Sequence, residues 1–214
     1  MNGERLSSVD ELMALLVDCE DAWDTPDRSG DPVDILDHGL QVAAVLAERH
    51  PDDEELQVAG LVHDIGHHLL PGDEAGHGEH AAAAVVGLLG ARVARLVALH
   101  ISAKRYLAAT DAHLVLSPES ARTLGCQGGV MTSEEAAVFE ADPDSTAAIA
   151  LRRADDAGKV VGPARAGSGL LATSGGARGR SSDARRGRVG LVPETTRNRL
   201  RLSSSLPAPT CQYR

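Results

Sequence analysis

Aromatic side chains are nearly missing: one Trp, two Tyr and one Phe make up 2% of 214 residues. Any core must then be built from Ala, Leu, Val and Ile, which pack well between helices, and the composition favours an all-α fold. Lysine occurs only at Lys104 and Lys159. Cysteine is limited to Cys19, Cys126 and Cys211, an odd number without metal-ligand spacing. This fits reduced thiols better than a disulfide framework. No apolar run approaches a membrane span, and MNGERLSSVDEL lacks the basic-then-apolar order of a signal peptide, so a cytoplasmic protein with no membrane partner is expected. Positive charge is short too. A formal charge of −10 argues against a nucleic-acid partner, while 43% apolar residues indicate a globular chain.

What is present is helical periodicity. Ser8-Val9-Asp10-Glu11 reads as a capping box that opens a first helix, with Leu12, Leu15, Leu16 and Cys19 on one face towards Trp23. Asp24–Pro32 reads as a loop. A second helix is expected from about Asp34 to His50, with His38 inward. A third should start at the acids Asp52–Glu55 and run through His63-Asp64 to about Leu69, before Pro71-Gly72. Further helices are expected from His77 to Leu89, from Ala91 to about Ile101, from Ser117-Pro118 to Leu124, from a capping box at Thr132–Glu135 to about Ala141, and from about Ser145 through Arg152, Asp155, Asp156 and Lys159.

After Gly162 the character changes. Residues 163–214 hold ten Arg against Asp183 and Glu194, so this segment carries +8 and the rest of the chain −18 of the total −10. It is too poor in patterned apolar residues to offset its ordering entropy, and disorder is expected. A basic arm for an anionic partner is the functional alternative. The abrupt loss of helical pattern also fits out-of-frame translation of a GC-rich gene.

Histidine, by contrast, is well represented, with nine residues. The pair His63-Asp64 sets imidazole beside carboxylate, and a carboxylate has two oxygens with which to bridge two metals. Together His38, His63, Asp64, His80, His100 and Asp155 give four imidazoles and two carboxylates on helices that a bundle can point inward. Six such groups can hold two metals about 3.5–4 Å apart across Asp64. Hard oxygen ligands and no usable Cys favour iron or manganese over structural zinc. His50, His77 and His113 read as ordinary surface residues.

The order His…His-Asp…Asp resembles the HD-domain superfamily. The segments GDPVDILDHGLQVA, LVHDIGHH, HGEHAAA, LHISAKRYL, LSPESARTLGCQGGVMTSEE and LRRADDAGKVVG are similar, in order and spacing, to the PhnZ-type organophosphonate-cleaving oxygenases, distant relatives of myo-inositol oxygenase. The likeness covers about Gly30–Gly162, which makes residues 1–162 an HD-domain helical metal-binding domain. It implies a mixed-valent Fe(II)/Fe(III) diiron site, with manganese or another divalent metal as the alternative. It also implies oxidative cleavage, with O2, of the carbon–phosphorus bond of a small 1-hydroxy-2-aminoalkylphosphonate to phosphate and a carboxylic acid. Matched to the family's motifs, one iron takes His38, His63, Asp64 and Asp155, and the second takes Asp64, His80 and His100. Asp155 is preferred to Asp156 because it stands four residues before Lys159.

The resemblance further implies a substrate shell of Asp31, His67, Lys104, Ser120, Thr123, Gln127, Arg152 and Lys159, with Asp64, Lys104 and Lys159 closest to the chemistry. Both lysines of the chain fall on motif positions, and a buried phosphonate dianion needs charge-assisted donors. Asp31 stands for a family glutamate that meets the substrate's ammonium group, and is one methylene shorter. Arg28 replaces a tyrosine, and Ala154 replaces a tryptophan whose loss would leave a cavity costing about 3–5 kcal/mol in an unchanged neighbourhood. The alternative activity is a metal-dependent HD phosphohydrolase acting on a nucleotide or phosphate monoester. A third reading is a binding module that keeps the pocket without the chemistry.

Overall fold

The computed structural model describes residues 5–25 and 27–162. Tail residues 163–214, with Cys211 and the basic arm, lie outside the described residues. Among the described residues there are nine helices and no strand: α1 (Val9–Asp18), α2 (Ile35–Arg49), α3 (Glu54–Val62), α4 (Ile65–Leu69), α5 (His77–Leu89), α6 (Ala91–Thr110), α7 (Pro118–Cys126), α8 (Ser133–Glu140) and α9 (Ser145–Ala157). The all-α expectation holds. No described helix is long and apolar enough to cross a membrane.

Local signals account for most of the boundaries. Asp34, Asp53 and Ser117 cap α2, α3 and α7 by accepting from the backbone N–H three residues on. The Thr132–Glu135 box closes in both directions at α8. At α1 the box is shifted: Ser8 accepts from Glu11 N, but the Glu11 carboxylate returns to Ser7 N at 2.7 Å.

Three boundaries differ from the pattern-based expectation. The third helix breaks at His63-Asp64, because Asp64 adopts φ −104° and ψ 3° and its carboxylate is turned to the imidazoles rather than to a helix cap. The helix expected to stop near Ile101 runs on to Thr110, since Ala103, Lys104 and Leu107 continue the buried face of His100 and nothing in between breaks it. The last helix ends at Ala157, which leaves Lys159 in the segment that follows.

In the core, α2 packs on α3 and α9, and α6 packs on α5, α3 and α9. Leu46, Leu56, Ile65, Leu96 and Leu151 are completely buried there, each contributing about 1.5–3 kcal/mol. A smaller cluster joins Ala103, Phe139 and Ala148 with Tyr106 and Met131. Ala154 is wholly buried on α9, at the position where the resemblance expects tryptophan. Arg28 lies in the α1–α2 loop at φ +59°, its guanidinium 5.1 Å from the Trp23 ring centroid.

Gly66 sets how closely α4 meets α5. A Cβ there would lie 1.9 Å from the His77 carbonyl oxygen. Gly66→Ala is therefore expected to cost about 1–3 kcal/mol in urea denaturation through overpacking and to displace His77. A variant as stable as the parent would show that α4 and α5 can separate freely.

Candidate metal centre and anion pocket

Five elements converge on one buried cluster. His38 comes from α2, His63 and Asp64 from the α3–α4 break, His77 from the first turn of α5, His100 from the middle of α6 and Asp155 from the last turn of α9. Asp64 Oδ2 lies 3.4 Å from His38 Nε2 and 3.2 Å from His63 Nε2. Its other oxygen, Oδ1, lies 3.4 Å from His77 Nε2 and 3.6 Å from His100 Nε2. Asp155 joins the first group, with Oδ1 3.3 Å from His38 Nε2 and Oδ2 3.9 Å from His63 Nε2. The donors thus form two sets that share Asp64.

The imidazole tautomers follow from the outer nitrogens. His38 Nδ1 faces Gly158 O at 3.0 Å, His63 Nδ1 faces Gly60 O at 2.8 Å, His77 Nδ1 faces Glu74 O at 2.9 Å and His100 Nδ1 faces Val97 O at 2.6 Å. Carbonyls only accept, so each Nδ1 carries a proton and each Nε2 turns a lone pair inward when the ring is neutral. The Nε2 atoms of His77 and His100 then stand 2.9 Å apart, lone pair towards lone pair. Those of His38 and His63 are buried without a hydrogen-bond partner. Burial disfavours such unpartnered ring nitrogens, and a bound cation relieves them. The donor set fits metal ions.

Burial opposes ionisation of Asp64, but His63, His38 and His77 hold its carboxyl well below the usual range. Burial similarly opposes Asp155, which Arg152 and Lys159 hold low. Burial, reinforced by His77, pushes His100 down to about 3, so it is a neutral donor near pH 7. Against its burial, Asp155 and Asp64 raise His38 to about 10, so without a metal its ring is protonated near pH 7, and a cation bound here would displace that proton.

One sequence-based ligand is corrected. His80, expected in the second set, is over a third exposed and bonds Asp73 at 2.8 Å. His77, expected at the surface, is 3% exposed and faces Asp64 in its place. The reason is helix phase: α5 starts at His77, whose first-turn position faces α6, while His80 lies three residues on, against the preceding loop. The signal was available in Gly78. A Cβ there would lie 3.1 Å from His100 Cε1, so the glycine lets this end of α5 approach α6.

The residues expected to form a substrate shell gather beside the His/Asp cluster. Asp31, His67, Lys104, Ser120, Thr123, Gln127, Arg152 and Lys159 all line one pocket with Asp64, His77, His100 and Asp155. Lys104 Nζ donates to Thr123 Oγ1 at 2.6 Å and Gln127 Oε1 at 2.8 Å. Lys159 Nζ donates to Asp31 Oδ2 at 2.6 Å and Ser120 Oγ at 3.0 Å. Arg152 pairs with Asp155 at 2.5 Å and with Asp156, and its Nη2 lies 3.3 Å from Ser120 Oγ. His67 stacks on His77 with ring centroids 4.0 Å apart, and burial with His77 nearby drives its pKa well below the usual value. Asp24, Glu74 and Glu119 also line the pocket, and no motif had singled them out. Burial pushes Asp24 up to about 6.

Lys104 is 3% exposed, and burial together with Arg152 lowers it to about 7. The unfolded chain holds it at its ordinary 10.5, so between these values the unfolded state binds more protons. Stability should therefore rise with pH across that window. Lys104→Met should flatten this part of the denaturation profile, and an unchanged slope would mean that Lys104 keeps its ordinary affinity for protons.

This helical frame around a His-Asp pair defines a family. The HD-domain profile matches residues 35–156, and the chain belongs to the HD-domain family. Within it, a "Hydroxymethylphosphonate dioxygenase" of Gimesia maris is 37% identical over 171 residues, covering 75% of this chain and 81% of the relative. A "[1-hydroxy-2-(trimethylamino)ethyl]phosphonate dioxygenase (glycine-betaine-forming)" of Leisingera caerulea is 36% identical over 140 residues, 61% of this chain and 71% of the relative. An uncharacterized protein of Acanthamoeba polyphaga mimivirus is 30% identical over 147 residues, 63% and 67% of the two chains. The chain is an HD-domain enzyme with residues suited to a metal cofactor.

Proposed function

We propose that this enzyme is a diiron oxygenase that cleaves the carbon–phosphorus bond of a small 1-hydroxyphosphonate, the class including 1-hydroxy-2-aminoalkylphosphonates. The observation that carries the reading is the pairing of a shared-carboxylate metal-ligand cluster with a pocket lined by Lys104, Arg152 and Lys159. His38, His63, Asp64 and Asp155 would hold one metal, and Asp64, His77 and His100 the other. Bound there, a mixed-valent iron pair supplies the one-electron and dioxygen chemistry that a C–H and C–P cleavage needs.

The chain's own groups do the rest. Lys104, Lys159 and Arg152 supply positive charge for the phosphonate dianion, and Ser120, Thr123 and Gln127 add neutral hydrogen-bonding groups. An arriving phosphonate would compete with Asp31 for Lys159 and favour protonation of Lys104. Neutral His67 lies within the pocket, suited to a hydrogen bond with a polar substrate group. The overall reaction balances with one dioxygen per substrate. One oxygen atom enters the carboxylate, the other enters phosphate, and one proton is released. A reducing cytoplasmic setting suits such a site, and the partners are the small substrate and O2.

The test is iron content and phosphate release on protein made in iron-replete cells and purified without oxygen. Two irons per chain and O2-dependent phosphate release from 1-hydroxy-2-aminoethylphosphonate or hydroxymethylphosphonate are expected. Phosphate release that ignores oxygen would turn the assignment to a phosphohydrolase, and a metal-free, inactive chain would leave only a binding module.

A further inference from the structure

The segment that follows α9 carries two groups the site depends on. Gly158 O accepts from His38 Nδ1, and Lys159 Nζ reaches Asp31, Ser120 and, at 3.5 Å, Asp155. Gly158 caps α9, its N–H donating to Asp155 O at 3.1 Å, and Lys159 lies beyond the last residue of the helix. Past that cap the segment is held from the side. The Gln41 amide donates Nε2 to Val160 O at 3.1 Å and accepts Val160 N at Oε1, also at 3.1 Å. This is the pair of bonds that a neighbouring strand would make, supplied here by one side chain of α2. Gly158 makes the approach possible, since a Cβ there would lie 2.7 Å from Val42 Cγ2 and 3.3 Å from Val42 N.

We infer that Gln41 is a positioning residue, whose two-point clamp on Val160 holds the 158–160 segment against α2 and so aims Lys159 into the anion pocket. Its consequence for phosphonate binding rests on the proposed function; the clamp itself does not. Gln41 is one turn beyond His38 on α2, so one helix fixes both ends of the arrangement: the ring that donates to Gly158 and the amide that grips Val160. Two hydrogen bonds at a partly exposed position are enough to hold a short extended segment, and losing both should release it by about a tenfold shift in population.

The composition offers a direct test. Lys104 and Lys159 are the only lysines in the chain, so amine labelling of the full-length protein, read by peptide mass spectrometry, reports each separately. Gln41→Ala should raise the labelling rate of Lys159 by about tenfold and leave that of Lys104 unchanged. Gln41→Glu, which keeps the acceptor but loses the donor and adds charge, should fall between. Equal acceleration at both lysines would show general loosening and overturn the inference, as would no acceleration at Lys159.

A second readout concerns affinity on the metal-loaded protein, with inorganic phosphate as probe. Gln41→Ala should weaken phosphate binding in the parent background and change it little in a Lys159→Ala background. Full additivity of the two substitutions would also overturn the inference. If labelling responds as expected while neither protein binds phosphate, the clamp stands and the phosphonate reading of the pocket fails.

Discussion

A His77→Ala chain should retain one metal equivalent of two and lose on the order of 10³-fold in turnover, because the second donor set falls to Asp64 and His100. His80→Ala is the paired control. Its ring is tied to Asp73 at the surface, and its loss should leave metal content unchanged and activity within about twofold. The two histidines are three residues apart on one helix, so general damage to α5 should affect both variants alike. Metal analysis after anaerobic purification decides between them: loss of metal in His80→Ala with retention in His77→Ala would return the second set to the assignment that motif matching alone suggests.

The second large effect concerns Asp155. In the metal-free protein this carboxylate neutralises buried Arg152 at 2.5 Å and Lys159 at 3.5 Å. Removing one partner of a buried pair costs about 3–5 kcal/mol, with the lower end expected here because Asp156 and Asp31 remain. For a domain of this size that is a fall in Tm of roughly 6–20 °C. Asp155→Ala should show it by thermal denaturation, and should also lose the first metal. Arg152→Met in the same chain should recover much of the stability without restoring metal. An Asp155→Ala protein as stable as its parent would mean that Arg152 is fully satisfied by Asp156 alone.

Much of this arrangement was legible in the residues. The His63-Asp64 pair, His38, His100 and Asp155 could be found because each is a metal-competent side chain on an apolar helical face, and these faces do converge. His77 escaped because periodicity gives a helix its face but not its phase at the first turn, where a one-turn error selects the wrong histidine. The break at Asp64 escaped for a related reason. Nothing local interrupts GLVHDIGHH, and the turn is favoured by the carboxylate's partners on α2, α5 and α6, which no window of sequence contains. Asp24, Glu74 and Glu119 enter the pocket only through the packing of distant elements. Lys104 was assigned by motif, while its helix was expected to end before it.

Three of the four inward-facing imidazoles are anchored to the carbonyl three residues earlier in the chain, at Gly60, Glu74 and Val97, and the fourth to the carbonyl of Gly158. The ring orientations are thus recorded in main-chain atoms, which no substitution deletes. Glu74 and Val97 are both buried, yet it is their carbonyls, not their side chains, that fix the proton on its assigned nitrogen. In an enzyme built this way, a substitution in the pocket wall at Ser120, Thr123 or Gln127 would change what the pocket accepts without touching the atoms that orient the four rings.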